Sequence, residues 1–338
     1  MSRRSKGFRL LLSALAALLL LALATAAAVL WWLERPLPLS APTAELSIEA
    51  GTAPRDIAQA WVDAGVQISP RLLYAWFRWS GQARRIRAGS YEIDAGTSPR
   101  QLLSKMVQGD EALEQVRFIE GWTLRQLRAE LARAPQLKAA SAAMSEAELM
   151  TAVGAPGQPA EGRFFPDTYA YSRGVSDLTV LKRAHRAMQQ RLAAAWAERA
   201  ADSPLKSADE ALVLASIVEK ETGLPADRGL VAGVFNNRLR IGMPLQTDPT
   251  VIYGLGPAFD GNLRKRDLQA DTAYNTYTRS GLPPTPIALP GVASLRAAVR
   301  PEATKALYFV SRGDGSSAFS ESLAEHNRAV NRYQRQGR

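Results

Sequence analysis

The sequence contains no cysteine and only two histidines, His185 and His326, in 338 residues. The absence of cysteine excludes disulfides, a thiol nucleophile, cysteine-ligated zinc and iron–sulfur clusters. Two histidines cannot form a three-histidine metal centre, and they leave only two candidate bases for a serine-type triad. A metal site built from carboxylates alone is not excluded by this count. From their positions in helical segments, we expect His185 to be structural and His326 to be exposed.

Several catalytic and nucleotide-binding motifs are also missing. The chain has no G-x-S-x-G elbow, no P-loop, no G-x-G-x-x-G and no H-E-x-x-H. Acidic residues are absent from residues 1–33, and the net charge of the whole chain is +10. The remaining residues hold 38 basic and 32 acidic side chains, without the Lys/Arg block typical of nucleic-acid-binding arms. This mild excess is compatible with an anionic partner but does not identify one.

One long apolar run is present, the 24 uncharged residues Leu10–Leu33. As a helix it would be roughly 36 Å long, more than the ~30 Å hydrocarbon core of a bilayer. Basic residues precede it, and Trp31 and Trp32 stand at its far end, where indoles favour the headgroup region. We predict a cytoplasmic tail (residues 1–9), a single transmembrane helix (residues 10–33) and an exported remainder. A cleaved signal peptide is the alternative, although its apolar region usually has only about 7–15 residues.

A small module is predicted after the apolar run. Residues 34–43 contain three prolines and predict a stiff extended linker. Residues 44–110 predict the order strand, helix, helix, strand, with Thr52 as the cap of the first helix. This βααβ order resembles a LysM-like carbohydrate-binding module.

The most informative helix covers Ala208–Gly223. On a helical wheel, Ile217, Val218 and Glu221 lie within about 60° of Leu214, so Glu221 continues an apolar stripe in the last turn. Burial and the negative end of the helix dipole should both raise its pKa, as a general acid requires. The alternative is an ion pair with an arginine such as Arg228 or Arg238.

The neighbouring carboxylate and two later segments complete the set of candidate residues. Glu219 should face away from Glu221, so this helix alone cannot supply the paired carboxylates of an ordinary glycosidase. Val234–Gly256 and Asp271–Gly291 are rich in amides, hydroxyls and aromatic rings, which suit sugar hydroxyls and the apolar faces of pyranose rings. The alternative for each of these side chains is a role in turns or in the core.

The chain resembles the YceG-like family, the endolytic murein transglycosylases, in four long segments: EGRFFPDTY, LASIVEKETG, NNRLRIGMPLQTDPTVIYG and TAYNTYTRSGLPPTPIALPG. The resemblance covers essentially the whole chain. It implies an α+β protein with a transmembrane helix, a LysM-like module and a YceG-like, lysozyme-like catalytic domain over residues 111–338. The second glutamate of E-K-E-T, here Glu221, is then the catalytic residue.

A weaker similarity extends to lysozyme-like lytic transglycosylases, whose catalytic glutamate is followed by a hydroxyl residue and whose cleft uses glutamine and Ala-Tyr-Asn motifs. On this basis the predicted substrate-binding residues are Thr222, Gln246, Tyr274, Asn275 and Tyr277. The glutamine motif of this sequence, which ends at Gln246, departs in spacing from that of the lysozyme-like enzymes.

The resemblance also implies the chemistry. Glu221 would protonate the oxygen between MurNAc and GlcNAc and then accept the proton of the MurNAc C6 hydroxyl, which closes a 1,6-anhydro ring. No metal or cofactor is implied. The implied partners are peptidoglycan strands, the inner membrane and peptidoglycan synthases, and no nucleic acid. The catalytic domain would lie in the periplasm.

Two alternatives remain open at this point. One is a membrane-anchored scaffold that binds glycan through the LysM-like module without cutting it. The other is a muramidase-type hydrolase that uses Glu221 together with Asp248 or Asp271 and a water.

Overall fold

The computed structural model describes residues 3–335, and the side chains of residues 15–334. The chain divides into two compact units. The first extends to Glu114 and also includes Ser172–Gly174, and the second comprises Gln115–Tyr171 and the chain from Val175 onward.

The early part of the chain forms the predicted βααβ order and one further helix. Its elements are α1 (Arg3–Glu34), β1 (Thr43–Ile48), α2 (Pro54–Asp63), α3 (Pro70–Trp79), β2 (Gly89–Asp94) and α4 (Pro99–Gln108). Strands β1 and β2 are antiparallel, with Ala44 opposite Ile93. Trp61 and Phe77 are fully buried between the helices and this ribbon.

For this module, the prediction of Thr52 as a helix cap was wrong and the prediction of the linker was incomplete. Residue Ala53, not Thr52, is the N-cap of α2, and the Thr52 hydroxyl donates to the carbonyl of Glu49 instead. The predicted linker is extended but not free, because the Leu37 amide donates to Thr97 O at 2.8 Å and Leu37 is buried. The prolines make this segment extended, while the apolar residue between them attaches it to the module.

One helix among the described residues is long and apolar enough to cross a membrane. It is Leu15–Glu34, with 20 residues and a mean hydropathy of 2.3. A signal sequence has the same properties, so this helix is compatible with either of the two predictions made for it.

The later elements are α-helical with short ribbons. They are β3 (Leu113–Arg117), α5 (Leu124–Arg133), α6 (Glu146–Val153), β4 (Thr168–Ser172), α7 (Asp177–Ala197), α8 (Ala208–Glu221), α9 (Arg228–Arg240), α10 (Asp248–Leu255), α11 (Lys265–Gln269), α12 (Val292–Val299), β5 (Tyr308–Ser311), β6 (Ser317–Ser320) and α13 (Leu323–Val330). The ribbons pair β3 with β4 and β5 with β6. Helix α6 was not predicted, although Ser145 and Glu148 form a capping box at its start.

Helix α8 is the centre of the second unit. Its residues 211–218 are all buried, and it contacts α7, α9, α10 and α12. A helix that is apolar on every side must be surrounded in this way. Its polar end, from Glu219 to Glu221, is consequently held at a fixed position where the helix reaches the surface.

Candidate active site

Glu221 is the last residue of α8 and its side chain is half-buried. The Thr247 hydroxyl donates a hydrogen bond to its carboxylate oxygen Oε1. Burial is the main cause that raises the pKa of Glu221, and Asp248 raises it further, while Thr247 and Arg238 lower it. The net direction is upward, so the carboxyl retains a proton at higher pH than an ordinary glutamate, as a general acid must.

The loop that carries Thr247 is fixed by a buried arginine. Arg238 is 7% exposed, and its Nη1 donates to Leu245 O at 2.7 Å while its Nε donates to Leu307 O at 2.7 Å. From the other side, the amide of Gln246 donates to Thr276 O at 3.0 Å. These bonds hold the backbone immediately before Thr247, the residue that binds Glu221.

Gln246 has an unusual backbone in this loop. Its φ is 50°, in the left-handed region that side-chain-bearing residues rarely adopt. Such a conformation costs on the order of 1–3 kcal/mol and persists only when surrounding contacts impose it. In this conformation the exposed Gln246 side chain lines the same cavity as Glu221.

The cavity beside Glu221 has a volume of about 680 Å³. Gln246, Asp248 and Tyr277 line one side of it, with the Tyr277 hydroxyl donating to Asp248 Oδ1 at 2.5 Å. The other side, which was not predicted, is made by β5, β6 and α13 and includes Tyr308 and His326. His326 is half-buried, so the expectation that it is exposed was wrong.

The remaining predicted substrate-binding residues have other positions. Thr222 ends α8, and its hydroxyl donates to Val218 O at 2.6 Å. Tyr274 lines a different cavity, where its ring meets the edge of Tyr253 at 4.9 Å between centroids. The structure therefore groups Gln246 and Tyr277 with Glu221, and a substrate contact for Thr222 or Tyr274 stays a prediction.

Asn275 is an interior residue of its loop. It is 1% exposed, and its Nδ2 donates to the carbonyls of Asp267, Leu268 and Ala270. Its Oδ1 accepts the amide hydrogen of Tyr277 at 2.9 Å. These bonds organise the segment that carries Tyr277, and direct sugar binding by Asn275 stays a prediction.

A second carboxyl group lies in the cavity that Tyr274 lines, which has a volume of about 1010 Å³. Glu161 is 5% exposed and accepts hydrogen bonds from the amides of Leu124 and Gly162 and from the Tyr253 hydroxyl. Burial raises the pKa of Glu161 to about 7. Glu161 belongs to the segment EGRFFPDTY, but no role was predicted for it, and nothing in the local pattern indicated the partner at the start of α5.

Glu219 and Glu221 contact different elements, as the helical wheel predicts. Glu219 Oε2 accepts the amide hydrogen of Gly291 at 2.8 Å, and its Oε1 lies 3.9 Å from Arg228 Nη2. The two candidates for a second carboxylate also differ. Asp248 lines the Glu221 cavity, whereas Asp271 is exposed and pairs with Arg279 at 2.7 Å. Among residues 15–334, no group of three or more His, Asp or Glu side chains is arranged to hold a metal ion.

A model of the YceG-like family matches residues 46–332. The chain belongs to the YceG-like family. Its relatives include an endolytic murein transglycosylase of Bacillus subtilis (strain 168), 30% identical over 311 residues that cover 87% of this chain and 86% of the relative. An enzyme of the same name from Streptococcus pneumoniae (strain D39) is 26% identical, and this chain spans 60% of its length.

A solved structure shares the YceG-like fold. It is a crystal structure of a putative YceG-like protein from Listeria monocytogenes, with a TM-score of 0.55 and 29% sequence identity. The match covers 85% of this chain and 98% of the Listeria chain.

Proposed function

We propose that this protein is an endolytic lytic transglycosylase that cuts the β-1,4 bond between MurNAc and GlcNAc within peptidoglycan strands. One observation carries the proposal: Glu221 combines a raised pKa with a single hydrogen bond from the described part of the chain, in a cavity of about 680 Å³. The activity named for the Bacillus and Streptococcus relatives supports it.

The first half of the reaction uses Glu221 as an acid. Its raised pKa favours the protonated carboxyl, whose proton passes to the glycosidic oxygen as the bond from C1 breaks. The products of this step are the departing sugar, an oxocarbenium-like MurNAc and a Glu221 carboxylate.

The second half uses the same residue as a base. The MurNAc C6 oxygen bonds to C1, its proton goes to Glu221, and a 1,6-anhydro ring forms. Because the substrate supplies its own nucleophile and the acid is restored, the cycle needs neither a second carboxylate nor a cofactor.

Two neighbours make this exchange of roles feasible. Both Thr247 and Arg238 lower the pKa of Glu221, which means that they stabilise the carboxylate once it has formed. Arg238 is buried and bonded to backbone carbonyls, so its charge remains in place through the cycle. Burial favours the acid and these two groups favour the base, which brings the two states closer in free energy.

Gln246 and Tyr277 are the proposed sugar contacts in this cavity. The exposed amide of Gln246 has donors and an acceptor for sugar hydroxyls and acetamide groups. Tyr277 is fixed by its bond to Asp248, which orients the ring towards the same space.

The proposed location is the inner membrane, with α1 as a single-pass anchor, the N-terminus in the cytoplasm and the catalytic unit in the periplasm. The uncharged run and the basic residues before it support this orientation. The βααβ module is proposed to act as a LysM-like glycan-binding module. An anchor beside the site of strand synthesis suits nascent glycan as substrate and peptidoglycan synthases as partners.

A muramidase-type hydrolase is the second candidate, because Asp248 lines the cavity and is close enough to affect the pKa of Glu221. Mass spectrometry of the products from purified, uncross-linked peptidoglycan strands distinguishes the possibilities. We expect 1,6-anhydroMurNAc ends from the wild type and no cleavage by the Glu221→Gln variant. Reducing ends would indicate the hydrolase, and intact strands with wild-type protein would indicate a scaffold.

A further inference from the structure

The side of the Glu221 cavity that the sequence did not predict contains a histidine. His326 lies on α13, and its ring stacks on Tyr308 with centroids 5.2 Å apart and planes inclined by 25°. Both residues line the cavity that also contains Glu221 and Gln246. His326 is thus the one histidine that lines this cavity, since His185 is buried against Phe164 elsewhere.

The surroundings of His326 keep its ring neutral. Its Nδ1 is buried and has no hydrogen-bond partner among residues 15–334, and the guanidinium of Arg238 lies 5.2 Å from the Tyr308 ring on which the imidazole stacks. Burial and then the charge of Arg238 lower the pKa of His326. A protonated ring would have to place an unpaired N–H in the buried position, next to a fixed positive charge.

Other charged groups near this helix do not offset that effect. Glu325 caps the start of α13 through the amides of Glu321 and Ser322. Glu221 and Asp248 lie on the opposite lining of the cavity, and each is engaged by a hydroxyl group. Strand β6 carries no ionisable side chain, and Tyr308 is the only one on β5.

The ring also has a restricted orientation. Tyr308 covers one face of the imidazole and Nδ1 is buried, so we assign the contact with a ligand in the cavity to the other ring nitrogen, Nε2. A fixed, neutral imidazole is a suitable partner for an uncharged hydroxyl or acetamide group, because little conformational freedom is lost on binding.

We infer that His326 is a glycan-binding residue of the Glu221 cavity, whose neutral ring hydrogen-bonds through Nε2 to a hydroxyl or acetamide of the sugar beside Glu221. The inference rests on the proposed function for the identity of the ligand, an N-acetylated sugar. It gives His326 no share in proton transfer, since the proposed cycle returns its proton to Glu221.

Binding to an inactive variant tests the inference without requiring turnover. The probe is uncross-linked glycan strand of alternating GlcNAc and MurNAc, and the parent protein is the full chain with Glu221→Gln. We expect His326→Ala to weaken binding roughly three- to tenfold, the usual size for one neutral hydrogen bond. His326→Gln, which retains a hydrogen-bonding group, should restore most of the affinity, and the exposed neighbour Asn327→Ala should leave it unchanged.

Kinetics with Glu221 intact provide the second measurement. His326→Ala should raise KM by a similar factor and change kcat by less than about threefold. Unaltered strand affinity in His326→Ala, or a fall in kcat with KM unchanged, would overturn the inference. Should His326→Ala fail to fold, His326→Gln and His326→Phe carry the same comparison, because Phe keeps the stacking surface without the nitrogen. Product analysis remains independent, so failure of the transglycosylase proposal and failure of this one give different results.

Discussion

Glu161 and Glu221, two carboxyl groups of the second unit with raised pKa values, differ in their surroundings. Glu161 accepts hydrogen bonds from three groups of the protein, two backbone amides and a tyrosine hydroxyl. Within residues 15–334, Glu221 accepts one hydrogen bond, from Thr247, which leaves oxygen lone pairs and a proton available to a ligand. A raised pKa by itself does not distinguish a structural carboxyl from a catalytic one. The hydrogen-bonding capacity that the protein leaves unused on a carboxyl group distinguishes the two roles.

The largest effect should come from Glu221. Glu221→Gln keeps the shape and the bond to Thr247 but has no transferable proton, so anhydro-product formation should fall by at least ~10²–10⁴-fold. Thermal melts should show equal or slightly higher stability, since a buried ionisable group is replaced.

Glu219→Gln is the matched control, because it is the same substitution two residues away. The carbonyl of the substituted side chain can still accept the Gly291 amide hydrogen, so most activity should remain. If Glu219→Gln were the inactive variant and Glu221→Gln the active one, the catalytic assignment would be reversed.

Substitution of Asn275, in the loop that also carries Tyr274 and Tyr277, should lower the stability of the protein. Asn275→Ala removes the contacts of Nδ2 and Oδ1 with four backbone groups and leaves partly buried carbonyls without their donor, so we expect a loss of about 3 kcal/mol in the free energy of unfolding. Denaturant unfolding measures this directly. An Asn275→Ala protein with wild-type stability but reduced activity would instead make Asn275 a substrate contact.

Glu161 should affect the pH dependence of stability rather than catalysis. Its pKa is about 7 in the fold and about 4.3 in an unfolded chain. The folded state therefore binds more protons between these values, and its stability falls as pH rises from about 4.3 through 7.

Glu161→Gln should remove that fall, so melting temperatures of the wild type and the variant should diverge between pH 5 and pH 8. The corresponding difference in free energy is about 1–3 kcal/mol, with activity changed only a few-fold. Parallel pH profiles for the two proteins, or an inactive Glu161→Gln, would contradict the structural role.

The smallest stability effect is expected at Gln246. Gln246→Gly relieves the left-handed strain and should change stability by about +1 kcal/mol or less, while activity falls several-fold because the amide is lost. Gln246→Ala loses the same amide but keeps the backbone strain. Its activity should therefore fall as much as that of Gln246→Gly, and its stability should be lower than that of Gln246→Gly. Full activity in both variants would remove Gln246 from the proposed sugar contacts.

Local patterns were sufficient for several features of this protein. Helical periodicity separated Glu221 from Glu219, because side-chain direction on a helix depends only on residue spacing. A capping box of Thr123 and Gln126 begins α5, and its T-x-x-Q pattern lies within four adjacent residues. The length of the uncharged run likewise predicted a helix that can cross a membrane.

Only the tertiary structure decided which polar residues are available to a ligand. Asn275 and Gln246 both belong to polar segments, yet one is buried by loop carbonyls and the other is exposed at the cavity. Glu161 is hydrogen-bonded to Tyr253, 92 residues away. His326 on α13 stacks on Tyr308 of β5, and strand β6 lies between these two elements in the chain. Such partners depend on how distant segments pack, and the local sequence around each residue carries no record of them. The sequence by itself therefore determined helix α8 and the face on which Glu221 lies in its last turn. Packing between distant segments determined which of the neighbouring groups can reach a substrate.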